Sequence, residues 1–446
     1  MKRLFGTDGV RGVAGEFPLD DQTVSIIGAS LTRRLKEQKG SAPTIVTGRD
    51  TRESGEQIEA AFHAGAKSEG AQCVSAAVIT TPGVAYLTRT HGFDAGIVIS
   101  ASHNPFEDNG LKIFTPTGKK ADEATERAIE AGVAAGHAGE IKTAEVDRSK
   151  AQQFDRDYIG DLAAGFPELD LNGKKIIIDC ANGAACHLAP ELFGGFGADV
   201  VVINNEPDGR NINKDCGSLH LEHLQRAVLD RKADFGVAYD GDADRALFVN
   251  EKGDIVDGDA TLWIMANFLL DHGKLANRKV IATVMSNIGL ELALKSKGIE
   301  LVRTAVGDKY VLDELLASGS EIGGEQSGHI IFPDKSVVGD GMLTTLFVLE
   351  AMHERGVAFS QMLSGFTPYP QILVNVKVKE KRPFEEVAEI VDSARGIEDE
   401  LAGSGRLLLR YSGTENLARV MIEGKDQSTI TDQANRLAEV IRTCLN

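Results

Sequence analysis

The chain has 446 residues, is 42% hydrophobic and carries a formal net charge of −18. This length predicts three or four globular domains at roughly 100–200 residues each. The acidic balance argues against general nucleic-acid binding, which needs a basic face, so an anionic substrate would depend on local clusters of Arg and Lys. The five cysteines form no CxxC pair, the N-terminus lacks an apolar signal segment, and no apolar run approaches the ~18 residues of a membrane helix. We therefore expect a cytoplasmic protein with reduced thiols and no membrane partner.

Residues 1–150 alternate predicted strands and helices, which is typical of a mainly parallel α/β domain. They open on Phe5-Gly-Thr-Asp-Gly-Val-Arg11-Gly, where glycines allow close backbone approach and Arg11 adds a positive charge. We interpret this stretch as a ligand-facing loop, with a glycine-rich turn and a solvated arginine as the alternative. Helical spacing is clear at 24–35 and again at 58–66.

A buried strand is predicted where the apolar run 97–99 meets Ser-Ala-Ser102-His103-Asn-Pro. It would deliver Ser102 to a fixed, exposed loop, where catalytic residues often lie. Because no Gly-x-Ser-x-Gly elbow surrounds it, Ser102 would need activation or covalent modification. Neighbouring side chains of an extended segment point apart, so we interpret His103 as a structural loop residue. The next predicted strand, 110–114, carries Lys112.

The second region, 151–256, ends its third predicted strand in Asp240-Gly-Asp242-Ala-Asp244-Arg245. Three carboxylates at alternate positions repel one another unless a cation neutralises them. Oxygen ligands suit Mg²⁺, which leaves room for a phosphate oxygen. With Glu251 the spacing half-matches a calcium EF-hand, but Arg245 stands where that loop needs glycine. A solvated acidic turn is the remaining alternative.

The third region, 257–368, repeats the strand–helix pattern and leads into Gly-Gly-Glu325-Gln326-Ser327-Gly-His329. This loop concentrates groups that could hydrogen-bond sugar hydroxyls, although a flexible polar turn is the alternative. Three successive β-α-β regions of similar length predict a structural repeat without clear sequence identity.

The pattern changes in residues 369–446, where 372–379 alternates apolar and polar residues as a half-exposed antiparallel strand does. Helices near 383–395 and 428–443 would complete an α+β domain. Arg410-Tyr-Ser412-Gly-Thr-Glu follows a strand and leads to Arg419, which would make a phosphate cradle. An ordinary hydroxyl-containing turn is the alternative. The fold prediction is therefore three similar mixed or parallel α/β domains plus a C-terminal α+β domain around a central cleft.

Taken together, four of these motifs resemble the α-D-phosphohexomutase superfamily over essentially the whole chain. In chain order they are Ser-Ala-Ser102-His-Asn-Pro, Asp240-Gly-Asp-Ala-Asp-Arg, Gly-Glu325-Gln-Ser-Gly-His and Arg410-Tyr-Ser-Gly-Thr-Glu. The resemblance implies that Ser102 is a phosphoserine. The residues implied as Mg²⁺ ligands are Ser102, Asp240, Asp242 and Asp244.

The resemblance also implies roles around the substrate. The residues implied around the transferred phosphoryl group are Lys112, Arg245 and His329. The residues implied for the sugar hydroxyls and the distal phosphate are Glu325, Ser327, Arg410, Ser412, Gly413, Thr414 and Arg419, with Arg11 as a further substrate ligand. One departure matters: many glucose and mannose mutases have a histidine after a glycine before the sugar motif, whereas here Asp308 follows Gly307. Lys112 is therefore the better candidate for the general acid/base.

Within the superfamily, three features are similar to the members that act on glucosamine phosphates: the opening motif, Gln326 where many relatives have methionine, and the loop from Asn211-Ile-Asn213 to Ser218. The implied activity is interconversion of glucosamine 6-phosphate and glucosamine 1-phosphate through a sugar bisphosphate such as glucosamine 1,6-bisphosphate, which would feed UDP-N-acetylglucosamine and cell-wall precursor synthesis. The alternatives are a phosphomannomutase/phosphoglucomutase, a metal-dependent sugar phosphatase and a non-catalytic sugar-phosphate sensor. The oligomeric state stays open, with a homodimer as one alternative.

Overall fold

The computed structural model describes residues 3–6, 8–136, 144–412 and 416–445. The chain divides into two compact units, one made of Met1–Met285 with Val302–Ser364 and the other of Ser286–Leu301 with Gly365–Asn446. Throughout the described ranges, every helix is too short or too polar to traverse a lipid bilayer.

The first sheet of the first unit combines parallel strands with an antiparallel edge. Its strands are β1 (Val10–Val13), β2 (Thr44–Arg49), β3 (Gln72–Val78), β4 (Ala95–Ile99) and β5 (Asp108–Phe114). Their order is β1-β5-β4-β2-β3, in which β2 runs parallel to β3 and β4, and β5 runs antiparallel to β4 and β1. The helices of this part are α1 (Asp21–Lys39), α2 (Gly55–Ser68), α3 (Thr81–Thr90) and α4 (Glu123–Ala135).

Helices α1 and α2 follow the apolar spacing that the sequence predicts. The α1 side chains Val24, Ile27 and Leu31 are buried in one cluster with Ile58 and Phe62 of α2. Gly65 permits the close approach of the two helices, since a Cβ there would lie 1.8 Å from the carbonyl oxygen of Ser25. Burial of these apolar faces, rather than helix propensity, stabilises the pair.

The second sheet has the same arrangement as the first. Its strands are β6 (Lys175–Asp179), β7 (Asp199–Ile203), β8 (Phe235–Tyr239), β9 (Ala246–Asn250) and β10 (Ile255–Val256). The order is β10-β9-β8-β6-β7, with β6 parallel to β7 and β8, and β9 antiparallel to β8 and β10. The helices here are α5 (Ala151–Ala164), α6 (Leu188–Gly195) and α7 (Glu222–Arg231).

The third sheet is shorter. Its strands are β11 (Lys279–Thr283), β12 (Glu300–Thr304), β13 (Gly323–Gly324) and β14 (Ile330–Ile331), in the order β12-β11-β13-β14. Strand β13 is parallel to β11 and antiparallel to β14. The helices of this region are α8 (Gly258–Asp271), α9 (Ile288–Ser296), α10 (Asp308–Ser318) and α11 (Gly341–Arg355), of which α9 belongs to the second unit.

The predicted repeat is confirmed by the common strand order of the three sheets. In each sheet, four strands follow one another along the chain in the same way. The first is central, the second lies beside it at the edge, the third lies on the other side of the first, and the fourth pairs antiparallel with the third. The Ser102 loop, the aspartate loop and the Glu325 loop all lie between those last two strands, after β4, β8 and β13 respectively. Three equivalent loops therefore carry Ser102, the three aspartates and the Glu325 motif.

The second unit has an antiparallel sheet, as the alternating pattern predicts. Its strands are β15 (Gln371–Lys377), β16 (Arg406–Tyr411) and β17 (Leu417–Glu423), in the order β15-β17-β16. Helices α12 (Ala388–Leu401) and α13 (Gln427–Leu445) pack on it. The predicted helix at 383–395 is wrong at both ends, because a short 3-10 turn precedes α12 and because Ile397 and Leu401 extend its buried face.

Candidate active site

Ser102 lies in a strained and buried position. Its backbone φ is 53°, a left-handed conformation that costs roughly 1–2 kcal/mol for a residue other than glycine. Its Oγ donates a hydrogen bond to Asp240 Oδ2 at 2.6 Å. The prediction of an exposed loop is wrong, because Ser102 is only 1% exposed. The aspartate loop covers it, and a Cβ on Gly241 would lie 2.5 Å from the Ser102 carbonyl oxygen.

His103 contacts the serine side chain directly. Its Nδ1 lies 3.2 Å from Ser102 Oγ, so the expectation that the two side chains point apart is wrong, while the structural role of His103 stays a prediction. That expectation assumed an extended segment, whereas the left-handed turn at Ser102 brings the two neighbouring side chains together. Burial and the positive charge of Arg245 lower the pKa of His103 to about 4, so the imidazole is neutral at pH 7.

The three aspartates after β8 converge as the sequence predicts. Ligand oxygens of Asp240, Asp242 and Asp244 lie within 4.8 Å of one another, and all three residues are buried. A solvated acidic turn is therefore excluded. Burial and the two neighbouring carboxylates raise the pKa of Asp240 well above its usual range, which reflects the repulsion that a cation would relieve.

The orientation of Asp242 fits a cation. Thr81 Oγ1 and Lys112 Nζ both donate to Asp242 Oδ2, at 2.5 and 2.8 Å. Within the described ranges, the buried Asp242 Oδ1 has no hydrogen-bond partner. One oxygen is thus held and the other is available, in an all-oxygen donor set of the kind that Mg²⁺ prefers. The residues present fit a magnesium ion.

Lys112 on β5 is buried and paired with carboxylates. Its Nζ lies 2.8 Å from Asp242, 3.1 Å from Asp244 and 3.3 Å from Asp8. Burial lowers the pKa of this ammonium, but the carboxylates outweigh burial and raise it well above its usual value. A permanently charged ammonium is suited to stabilising negative charge. The hypothesis that Lys112 is the general acid/base stays a prediction.

Arg245 and His329 border the same carboxylates. Arg245 Nε lies 3.8 Å from Asp244 Oδ1, and its backbone N–H donates to Asp240 Oδ1 at 3.2 Å. His329 Nδ1 lies 3.6 Å from Asp244 Oδ1, while its Nε2 accepts a hydrogen bond from the Gly339 N–H at 3.1 Å. Because Nε2 must have a lone pair to accept that bond, the geometry favours a proton on Nδ1, facing Asp244.

An ion-pair network that the sequence did not reveal adjoins this centre. Lys120 Nζ lies 2.5 Å from Asp8 Oδ1 and 2.6 Å from Asp308 Oδ2. Asp8 in turn pairs with Arg11, whose NH1 donates to the carbonyl oxygen of Ala101 at 3.0 Å. The Gly-rich opening is thereby tied to the serine loop. Asp308, which replaces the histidine of related sequences, binds a lysine here.

The Glu325 motif, for which sugar binding is a prediction, forms a tight turn between β13 and β14. Glu325 Oε1 accepts a hydrogen bond from the Gly307 N–H at 3.1 Å. Gln326 Nε2 donates to Asp257 Oδ2 at 3.2 Å, so this side chain anchors the turn to the start of α8. Ser327 is half-buried in the same turn. Glu325 also lines a cavity beside the aspartate loop.

The cavity beside this centre measures about 510 Å³, which lies within the roughly 300–1,000 Å³ typical of small-molecule sites. Its charged and polar lining is contributed by Arg3, Asp8, Arg11, His103, Asp244, Arg245, Asp308, Glu325 and His329. Arginines and two histidines thus face the cavity together with carboxylates. This combination can bind a phosphorylated, hydroxyl-rich ligand.

The second unit carries the predicted phosphate loop. Arg410 and Arg419 are directly opposed on β16 and β17, an unfavourable pairing of like charges. Partial burial and Arg419 lower the pKa of Arg410. Ser412 is buried, and its carbonyl oxygen accepts a hydrogen bond from Lys381 Nζ at 2.7 Å. A bound anion would relieve this concentration of positive charge. Gly413 and Thr414 lie outside the described residues.

Four family descriptions match successive parts of the chain. They are the phosphoglucomutase/phosphomannomutase alpha/beta/alpha domain I at residues 2–140, domain II at 156–253, domain III at 257–369 and the C-terminal domain at 373–440. The chain belongs to the phosphoglucomutase/phosphomannomutase family.

Curated members of this family match over the full length. The phosphoglucosamine mutase of Solibacter usitatus is 48% identical over 441 residues, covering 99% of this chain and 98% of the relative. The phosphoglucosamine mutase of Caldicellulosiruptor bescii is 47% identical over 451 residues, covering 100% of both chains.

Two solved structures illustrate that the fold is shared. One from Burkholderia thailandensis superposes with a TM-score of 0.80 at 23% identity, covering 100% of this chain and 99% of that chain. The N-acetylphosphoglucosamine mutase of Aspergillus fumigatus, solved in complex with GlcNAc-6P and magnesium, superposes with a TM-score of 0.67 at 20% identity, covering 99% and 96%.

Proposed function

We propose that this family member interconverts glucosamine 6-phosphate and glucosamine 1-phosphate through a phosphoserine at Ser102. The observation that carries the proposal is the 2.6 Å hydrogen bond between Ser102 Oγ and Asp240, the first of three convergent buried carboxylates. Full-length relatives called phosphoglucosamine mutase support the choice of substrate. We call Ser102, Asp240, Asp242 and Asp244 the phosphoserine centre.

The proposal includes Mg²⁺ as the cofactor, held by Asp240, Asp242, Asp244 and the Ser102 side chain. When bound there, the ion would neutralise charge on the phosphoryl oxygens. The available Asp242 Oδ1 supports this assignment. The Aspergillus fumigatus relative, solved with magnesium, is consistent with it.

Positively charged side chains of the protein would complete the charge balance around the phosphoryl group. Lys112, Arg245 and Arg11 supply fixed positive charges next to the serine loop or the carboxylates. Phosphoryl transfer passes through a loose transition state, in which positioning and charge stabilisation contribute more than proton removal. In the first half-reaction, the Ser102 Oγ–P bond breaks, a sugar hydroxyl oxygen forms the new P–O bond, and the proton of that hydroxyl ends on the freed Ser102 Oγ. The product of this half-reaction is a sugar bisphosphate.

The second half-reaction is the reverse at the other end of the sugar. The bisphosphate reorients, its other phosphoryl group returns to Ser102 Oγ, and the sugar monophosphate leaves. The phosphate that is not being transferred is proposed to bind at Arg410, Ser412 and Arg419, together with Gly413 and Thr414. Glu325 and Ser327 are proposed to hold sugar hydroxyls in both orientations.

Two alternatives differ from this proposal in a measurable product. A phosphomannomutase/phosphoglucomutase would use the same chemistry on another sugar. A metal-dependent phosphatase would form the same phosphoserine and release it to water. The Ser102 side chain is buried, which limits access of water and favours transfer over hydrolysis.

The test is a turnover assay with Mg²⁺ and a trace of sugar bisphosphate, run on the 6-phosphates of glucosamine, glucose and mannose. Inorganic phosphate is measured in parallel. We expect the glucosamine compound to have the highest kcat/KM and to yield the 1-phosphate with little phosphate release. A preference for glucose or mannose would overturn the substrate assignment. Stoichiometric phosphate release without isomerisation would overturn the mutase assignment.

A further inference from the structure

The loop before Ser218 contacts the serine loop through one asparagine. Asn213 is 8% exposed and adopts a left-handed φ of 58°. Its side-chain Nδ2 donates to the carbonyl oxygen of Ser102 at 2.9 Å and to that of Asn104 at 3.1 Å. The second α/β region therefore holds the backbone of a loop that belongs to the first.

Arg52 holds the same two carbonyl groups. Its NH2 donates to the Ser102 oxygen at 3.0 Å and to the Asn104 oxygen at 2.8 Å. The Arg52 side chain is completely buried and forms an ion pair with Asp50, with Nε 2.9 Å from Oδ2. Its NH1 donates to the carbonyl oxygen of Asp108 at 3.0 Å. A buried, paired guanidinium is rigid, so it fixes the position of the loop.

The N–H of Ser102 is held as well. It donates to Ser100 Oγ at 2.9 Å, and Ser100 Oγ donates to Asp50 Oδ2 at 2.6 Å. Asp50 therefore anchors both Ser100 and Arg52, and through them it anchors the N–H and the carbonyl oxygen of one residue. These bonds account for the persistence of the left-handed conformation of Ser102, since a strained residue persists only when its surroundings determine it.

We propose that Asn213 and Arg52 are positioning residues for phosphoryl transfer, an inference that rests on the proposed function. They bind the peptide of Ser102 from two sides and hold Oγ toward Asp240. Because the bonds of both residues to the serine loop are made to backbone carbonyl oxygens, their hold does not depend on whether Ser102 carries a phosphoryl group. The serine oxygen can then return to one position in each half-reaction, as in-line transfer requires.

The experiment compares Asn213→Gly with Asn204→Gly. Asn204 has the same left-handed backbone, with φ of 50°, and its Nδ2 donates to Asp179 Oδ2 at 2.9 Å instead of to the serine loop. Glycine keeps the left-handed conformation in both variants and adds no charge. Measured for each are kcat, KM, the single-turnover rate of Ser102 phosphorylation by sugar bisphosphate, and the thermal unfolding midpoint.

We expect Asn213→Gly to lower kcat and the phosphorylation rate about 10- to 100-fold, with KM changed by no more than about 2-fold. Asn204→Gly should keep the wild-type kcat and phosphorylation rate, although its unfolding midpoint should fall by as much as that of Asn213→Gly. Arg52→Lys, which retains the charge but not the forked donor, should also lower kcat, and the double variant should lose less than the product of the two effects.

The inference is overturned if Asn213→Gly matches Asn204→Gly in both kcat and phosphorylation rate. It is also overturned if the losses of kcat and of phosphorylation rate are explained by the fall in unfolding midpoint alone. A wild-type protein that never becomes phosphorylated on Ser102 under these conditions would instead overturn the proposed function, so the two failures are distinguishable.

Discussion

Ser102 Oγ donates a 2.6 Å hydrogen bond to Asp240 Oδ2, although the two residues are 138 positions apart in the chain. Each lies in the loop that follows the third strand of its own α/β repeat. The hydrogen bond therefore joins equivalent points of two repeats. It places the proposed phosphoryl acceptor against the first carboxylate of the proposed magnesium site.

Removing the serine oxygen should abolish turnover. Ser102→Ala is expected to lower kcat/KM by about 10³-fold or more, because it removes the oxygen proposed to accept the phosphoryl group. Steady-state kinetics with Mg²⁺ and sugar bisphosphate measures the loss. Ser68→Ala, an exposed serine at the end of α2, serves as the control. Full activity of the Ser102 variant would contradict the phosphoserine mechanism.

Neutralising Asp242 should weaken metal binding. Asp242→Asn is nearly isosteric but removes the charge of the carboxylate whose Oδ1 is available to an ion. We expect Mg²⁺ affinity to fall about 10- to 100-fold, measured by calorimetric titration of the unliganded protein. The matched control is Asp230→Asn, which changes an exposed aspartate on α7. Unchanged Mg²⁺ affinity in the Asp242 variant would place the ion elsewhere.

Removing Lys112 should destabilise the protein in a metal-dependent way. Lys112→Met leaves the buried carboxylates Asp242 and Asp244 without their ammonium partner. The free energy of unfolding should fall by about 3–5 kcal/mol without Mg²⁺, which is typical of a broken buried pair. Saturating Mg²⁺ should restore part of this loss, because the ion binds more tightly to carboxylates that no longer have the ammonium as a partner and so stabilises the variant more than the wild type. Urea unfolding with and without Mg²⁺ measures the loss and its partial recovery. An equal loss in the two conditions would contradict the view that Lys112 and the metal ion neutralise the same carboxylates.

His63 should make the protein less stable in acid. Burial lowers the pKa of His63 from 6.5 to about 4, and its Nε2 lies 2.9 Å from Thr47 Oγ1. Between these two pKa values the unfolded state binds more protons than the folded state. The contribution of neutral His63 is therefore complete above pH 6.5 and is lost as the pH falls toward 4, by about 3 kcal/mol in total.

The measurement compares wild type with His63→Gln, which keeps a polar group near Thr47 but does not titrate. Urea unfolding at pH 7 and at pH 5 should show a larger acid loss for the wild type than for the variant. Other groups titrate in this range, so the difference between the two proteins isolates His63. Identical pH dependence would show that His63 does not contribute.

The distal phosphate site should be sensitive to guanidinium geometry. Arg410→Lys keeps the charge opposite Arg419 but loses the forked donor that suits phosphate. We expect KM for glucosamine 6-phosphate to rise about 10-fold, while the unfolding midpoint stays near that of wild type. Arg395→Lys on the exposed face of α12 is the matched control. Equal KM values for the two variants would remove Arg410 from the proposed site.

Much of the fold follows from local patterns. Apolar strands and amphipathic helices are visible in the sequence because burial imposes their periodicity. The same reasoning located the serine loop, the aspartate loop and the Glu325 loop, since small or charged residues interrupt apolar runs there. It could not give the contact with His103, which depends on a left-handed backbone that non-glycine residues rarely adopt. It could not give the burial of Ser102 either, because the aspartate loop that covers Ser102 lies far away in the chain.

The residues that hold the site in place were harder to predict, because their contacts are tertiary contacts. Thr81, Lys120 and Arg52 act on partners far away in the chain, and their neighbours in sequence show no chemical pattern. Asp8 and Asp308 carried a signal: the first lies in the Gly-rich opening, and the second replaces a histidine of related sequences. Their pairing through Lys120 still required the structure.

The most direct test of the central claim follows the phosphoryl group itself. Protein carrying a radiolabelled phosphoryl group on Ser102 is mixed with unlabelled glucosamine 6-phosphate in a single turnover with Mg²⁺. The account predicts that the label leaves the protein and appears first in sugar bisphosphate and then in sugar monophosphate, with little in inorganic phosphate. Label that remains on the protein while isomerisation proceeds, or that passes directly to inorganic phosphate, would contradict it.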